Sequence, residues 1–430
     1  MWFKKFFQIF KIPDLRKKLL FVLGVFVVFR IMSNIPIPGI NLLRLKELFA
    51  GNQMFGLLNV FTGGALSKLS IVMLGLGPYI TSVIILQLLT MVIPQLEKLQ
   101  KEEGEAGRQK INNWGRFLTV PLAALQAFGM LTLFQRGANP VIGQLSPQMM
   151  ATSIVTVVAG SVFLMWLGEL ITEKGIGNGI SLLIFAGIIA GAPMSIYQSY
   201  MDLEGNPARL SSYIFFFAVS LVIIAGVVMI NEGRRNIPVS YAKRVKGRKM
   251  YGGVSTYIPL NVNPAGVLPI IFALSLMMFP NMIANFLSGV GSGTLASLAQ
   301  SVSNFFENPW AYGTIYFAMV FAFTYFYTAV TFDPEAISSN LQKMGGFVPG
   351  IRPGRPTAEF IKYILNRVLF FGALFLGTIA ILPSLMQGVT GVTSFQFLIG
   401  GTALLIVVSV VLETMKQIKA QLKMREYETF

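Results

Sequence analysis

Ten stretches of about 20 predominantly apolar residues recur along this chain. They lie near 19–37, 73–94, 117–135, 150–170, 179–198, 211–230, 264–286, 309–331, 364–384 and 394–413. Each is as long as an α-helix must be to cross roughly 30 Å of hydrocarbon. Composition agrees, with 54% hydrophobic and only 12% charged residues, where soluble domains carry roughly 25% charged. The expected fold class is therefore an all-α integral membrane protein with ten transmembrane helices. Arg16, Lys17 and Lys18 precede the first stretch in the manner of a signal peptide. No small-residue cleavage site follows, and the turn IPIPG at 35–39 leads onward, so the first span is read as retained.

Basic residues set the orientation. Of 34 lysines and arginines, Arg44, Lys46, Lys68, Arg136 and Arg209 fall in loops of one set, and Arg30 lies within a span. The remaining 28 occupy the termini and the alternate loops. The positive-inside rule then predicts that both termini are cytoplasmic. One missed or added span would scramble that asymmetry, so it also supports the count of ten. Ten spans divide as five plus five, 1–200 and 201–430, a build common in transport proteins; no residue-level repeat accompanies the division.

Several chemistries are excluded by what the chain lacks. With no cysteine and no histidine, thiolate chemistry and the commonest general base and metal ligand are missing. The acidic residues fall in loops or at helix ends, whereas an ion-coupled carrier usually keeps one at mid-membrane. GIGNGI at 175–180 has no Walker lysine and no preceding strand, so it reads as a tight turn between antiparallel spans, not a phosphate loop. Arg30 is close enough to the outer end of its span for its stem to snorkel or for the side chain to make a structural contact, with a role in a pore as the alternative.

The segment 55–94, FGLLNVFTGGALSKLSIVMLGLGPYITSVIILQLLTMVIP, breaks the pattern. A short amphipathic piece interrupted by Gly63 and Gly64 runs into an apolar stretch broken by Gly75, Gly77 and Pro78. Such breaks are tolerated at membrane depth where the freed backbone faces protein or water. Two readings fit: a re-entrant element inside the bundle, or an external amphipathic helix followed by a kinked span. The loops 231–263 and 332–367 are too rich in Gly, Pro and aromatics for plain connectors, and suggest a docking surface around Arg352.

Six segments, NVFTGGALSKLSI, LGLGPYITSVIILQLL, ITEKGIGNGISLLIFAGI, GRRNIPVSYAKR, GGFVPGIRPG and GGTALLIVV, carry a resemblance along essentially the whole chain. In this order they resemble characteristic segments of the SecY family, the channel subunits of the bacterial protein translocase. The resemblance implies two pseudo-symmetric five-helix halves around an hourglass pore in the bacterial cytoplasmic membrane. It implies a pore ring at Leu76, Ile80, Ile180, Ile184, Ile271 and Ile406, where Leu76 replaces a more usual isoleucine or valine. A re-entrant plug helix falls on 55–69, with Phe55, Leu58, Asn59, Phe61, Thr62, Gly63, Gly64 and Leu66. Thr81, Gln87 and Phe279 match lateral-gate positions. Lys243, Arg244, Lys246, Arg248, Lys249 and Arg352 match surfaces where the ribosome or the SecA motor docks.

The implied partners are two small membrane subunits resembling SecE and SecG, the SecA ATPase, and the ribosome with its nascent chain. Signal peptides, unfolded preproteins and the phospholipid bilayer complete the set. No cofactor, catalytic role or sequence-specific nucleic-acid recognition is implied. Helical spacing alone only puts Leu76 and Ile80 on one face and Ile180 and Ile184 on another. The expected activity is passive conduction of unfolded polypeptide, with sideways release of apolar segments into lipid. The alternatives are a secondary transporter of a small solute, which needs a polar site at mid-depth, and a membrane-embedded enzyme, which lacks catalytic groups here.

Overall fold

A computed structural model describes residues 12–38, 62–136, 146–241, 255–277, 308–390 and 401–428, with shorter pieces between them that include Leu45, Asn59 and 141–143. Among these residues, ten helices overlap the ten apolar stretches, two of them, over 77–92 and 268–277, shorter than the stretches they fall in. They are α1 (Pro13–Met32), α2 (Gly77–Val92), α4 (Gly104–Arg136), α5 (Pro147–Lys174), α6 (Gly179–Gly205) and α7 (Leu210–Glu232), then α8 (Leu268–Met277), α9 (Pro309–Thr331), α11 (Arg355–Thr390) and α12 (Gly401–Glu428). Short α3 (Pro94–Glu102) and α10 (Pro334–Lys343) join neighbouring spans. Side chains such as Phe117, Val222 and Phe371 are exposed on the bundle's outer surface, as expected where the solvent is lipid.

Local chemistry sets the boundaries. Proline opens α1, α5 and α9 at the first turn, where its missing N–H costs nothing. Asn178 caps α6 by accepting from the backbone N–H groups of Ile180 and Ser181 at 3.1 and 3.2 Å. The 175–178 link is the tight turn expected from GIGNGI. Gly179 is required there, because a Cβ would lie 1.9 Å from the carbonyl oxygen of Gly168 in α5. The first span ends at Met32, short of 37: the chain turns at Ser33 and runs extended through two prolines that cannot continue a helix. Pro36 there bridges Ser70 antiparallel. Likewise the helix expected from 73 begins at Gly77, behind turns at 71–76.

The 231–263 loop folds as β structure, which the apolar pattern did not disclose. β1 (Arg234–Tyr241) pairs antiparallel with β4 (Ser255–Asn261), and β5 (Gly346–Phe347) adds to the other edge of β1 at Ser240 and Tyr241. Pro238 is tolerated in this central strand because β5 reaches only the end of it, leaving one side of the proline unpaired. Ile237 and Val239 point to one face and, with Leu260, Leu341, Val348 and Ile361, form a small core between sheet, α10 and α11. Outside that sheet, β2 (Arg244–Lys246) and β3 (Lys249–Tyr251) make a short hairpin.

The main core draws on α1, α2, α5, α6, α7, α8, α9, α11 and α12. A second, around Leu66, Leu69, Leu131 and Phe134, packs the 66–74 segment against α4. At the sheet end, Lys416 of α12 pairs with Glu232 at 2.9 Å, and Asn231 donates to the Ser409 hydroxyl at 2.7 Å. These bonds tie α7 to α12 across a long sequence separation.

Candidate functional site: an aliphatic cluster and the segment above it

Leu76 and Ile80 come from the start of α2, Ile180 and Ile184 from α6, Ile271 from α8 and Ile406 from α12. Five of them belong to the main core cluster, with Ile406 0% exposed, Ile184 3% and Ile271 4%, and Ile180, partly buried, packs against it. Nothing in the spacing along the chain dictates that these four helices converge; tertiary packing does it. A cavity of about 60 Å³ lies between the cluster and the 62–76 segment. Leu76, Ile80, Ile184 and Ile271 line it from one side, Thr62 and Leu66 from another, and the polar groups at its wall include Gln126 and Ser275. Ile180 and Ile406 pack in the same core but do not line the cavity. Such a volume holds a few waters, beside a cluster that offers them no hydrogen bond.

Residues 62–76 are folded back among the helices, which favours the re-entrant reading over an external helix. Their regular part is one 3₁₀ turn, Leu66–Lys68, with Asn59 helical just before. Asn59 organises the turn: its carbonyl accepts from the Gly64 N–H at 2.8 Å and its side chain from the Ser67 N–H at 2.8 Å. The Thr62 hydroxyl oxygen accepts from the Leu66 N–H at 3.2 Å. The segment is strapped to the 35–37 strand by Ile37 N–H to Leu69 carbonyl and Ile71 N–H to Ile35 carbonyl, 2.9 and 3.0 Å. Leu69 holds the left-handed conformation, φ 41°, uncommon for a residue with a branched side chain. Phe55, Leu58 and Phe61, also expected in this element, lie outside the described residues.

Thr81 is buried in α2, its hydroxyl donating to the Gly77 carbonyl at 2.9 Å. Gln87 keeps a buried Oε1 with no hydrogen-bond partner among the described residues. Phe279 lies outside the described residues. Across the cavity Gly77 and Ile80 of α2 face Ile271, Leu274 and Ser275 of α8. Of the basic residues, Arg244 and Lys246 are on β2 and Lys249 on β3, with Lys246 paired to Lys249 at the hairpin end; Lys243 and Arg248 lie outside the described residues. Arg352 is exposed, and its loop is fixed by Thr357 donating to the Arg352 carbonyl at 2.8 Å and Ser338 to Gly354 at 2.6 Å.

Sequence reasoning did not find the partner of Arg30. Its guanidinium donates to the carbonyl of Gly63 at 3.0 Å, a structural contact with the 62–76 segment. Close by, Lys68 donates to the side-chain oxygen of Asn34. Burial, and then the positive charge of Arg30, lower the pKa of Lys68. The signal available in the sequence was the isolation of Arg30 in an otherwise apolar span.

These features define a polytopic all-α membrane protein with the fold of a protein-conducting channel. The backbone is similar to a solved structure described as that of a protein conducting channel, with a TM-score of 0.65 at 19% identity over 94% of this chain and 91% of that one. It is also similar to Sec61 in a canine ribosome–channel complex from the endoplasmic reticulum, with a TM-score of 0.61 at 20% identity over 94% and 91%. The SecY family model matches residues 70–415. The protein translocase subunit SecY of Streptomyces scabiei is 45% identical over 99% of both chains, and that of Streptomyces coelicolor 46% identical over 99% of both. Mycobacterium tuberculosis has one 44% identical over 97% of both. The chain belongs to the SecY family, as its motifs led one to expect.

Proposed function

We propose that this chain is the conducting subunit of a protein translocase, passing unfolded polypeptide through the centre of the bundle and releasing apolar segments sideways into lipid. The observation that carries the reading is the convergence of six aliphatic side chains from α2, α6, α8 and α12 beneath a segment folded back among the helices. An apolar constriction excludes water and ions without binding them, and it offers no hydrogen bonds to retard a moving chain. In this reading Leu76, Ile80, Ile180, Ile184, Ile271 and Ile406 are the ring and 55–69 is the plug above it. The two five-helix halves, 1–200 and 201–430, part between α2 and α8, with Thr81, Gln87 and Phe279 along the opening.

Sorting follows from transfer energies. Ten Leu-like residues gain about 3–6 kcal/mol on entering lipid, whereas one central charge costs about 2.5–3.5 kcal/mol. The basic face, with both termini and the Arg352 loop, is cytoplasmic in this proposal, and the membrane is the bacterial cytoplasmic one. That face receives the SecA motor or a translating ribosome, while small SecE-like and SecG-like subunits clasp the bundle in lipid. The test is reconstitution of the chain with those subunits and the motor in vesicles. An unfolded preprotein should become protease-protected on addition of ATP. Uptake of a small solute by the chain alone, with no protected preprotein, would contradict the reading.

A further inference from the structure

The ring and plug leave Arg30 unused, yet its guanidinium reaches 33 residues along the sequence to the Gly63 carbonyl. The turn it holds is wedged. Gly63 has φ 67°, and a Cβ on it would lie 2.8 Å from the Cα of Gly187 in α6 and 3.0 Å from the ring of Phe29 in α1. Gly187 is one helical turn from the ring residue Ile184, so the turn is clasped between Phe29 and Arg30 of α1 and the ring-bearing helix. Both cations here, Arg30 and Lys68, bond to neutral acceptors, the Gly63 carbonyl and the Asn34 amide. Charge repulsion between them therefore works against the closed arrangement, and directional hydrogen bonds hold it. A bond of this kind fixes position yet can be broken by an arriving chain.

We propose that Arg30 is a positioning residue for the plug: its hydrogen bond to Gly63 holds the 62–64 turn against α6 and sets the threshold at which the turn leaves. This rests on the reading of 55–69 as a plug. The channel is reconstituted idle in vesicles and its ion leak measured, with the rate at which an impermeant thiol reagent labels Thr62→Cys in this cysteine-free chain. Arg30→Gln should raise both by about tenfold or more, the effect of losing one charge-assisted hydrogen bond. Arg30→Lys, which keeps a charged donor, should recover part of the closure.

In a channel deleted for 55–69, itself leaky, Arg30→Gln should add nothing. Gly63→Ala leaves Arg30 in place but cannot fit against Gly187, and it should leak as Arg30→Gln does; it decides the matter if the arginine variant fails to fold. A tight Arg30→Gln or Gly63→Ala channel, or an Arg30→Gln leak that persists undiminished in the deletion, overturns the role of Arg30 while the plug stands. A deletion that stays tight overturns the plug and this proposal with it.

Discussion

Replacing Ile184 and Ile406 together with asparagine should convert the dry cluster into a wet one. Both side chains are almost fully buried, at 3% and 0% exposure. Losing one fully buried isoleucine forfeits about 1.5–3 kcal/mol, and an unpartnered amide in its place costs about 1–3 kcal/mol more. Two sites together lose on the order of 5–12 kcal/mol, as much as the whole stability of many domains. The cheapest relief is water, since the cavity of about 60 Å³ that Ile184 lines is already wide enough to admit it, and Ile406 packs in the same core. The assay is halide leak through purified channel in vesicles, read beside the melting temperature. The double asparagine variant should leak, and more so when 55–69 is deleted. Leucine at either site should cost less than about 1.5 kcal/mol and keep the seal. Val222→Asn, at a position 72% exposed on the outer surface, should not conduct. A folded double variant as tight as the parent refutes the reasoning.

Arg352→Glu reverses the charge at an exposed position in a loop fixed by the Thr357 and Ser338 hydrogen bonds; it should cut motor-driven translocation at least tenfold with inserted protein and melting temperature unchanged, as read by preprotein protection. Gly179→Ala places a methyl 1.9 Å from the Gly168 carbonyl oxygen and should lower stability by about 1–3 kcal/mol or more, visible as a drop in melting temperature; an unchanged melt contradicts the close approach of α5 and α6. For orientation, a single cysteine at Glu204 should react with an impermeant reagent from outside, and one at Glu359 only from the cytoplasmic face. Labelling of both from one face would contradict the orientation of the spans.

Helices with long continuous apolar runs were legible in the sequence: α9 begins and ends where its window does, at Pro309 and Thr331. Two spans departed from their windows for local reasons: α1 ended early ahead of Pro36 and Pro38, and α2 began late behind its glycines. β1 escaped because its alternation is short and Pro238 sits in it, so that neither period nor composition separates it from a loop. The aliphatic cluster was legible only through family motifs, since Ile406 and Ile80 look like any core isoleucines until four helices bring them together. Gly63 carried a half-readable signal: a glycine pair suggested a break, but nothing local showed that Gly187 and Arg30 would close around it.

The central claim is that polypeptide passes through this aliphatic cluster. Because the chain has no native cysteine, single cysteines at Ile80, Ile184, Ile271 or Ile406 can be oxidised against a cysteine in a preprotein arrested mid-translocation. The account predicts disulfide crosslinks from all four positions, dependent on arrest and on the motor, and none from cysteines at Val222 or Phe217 on the outer surface. Crosslinks from the outer positions with none from the four cluster positions would contradict it.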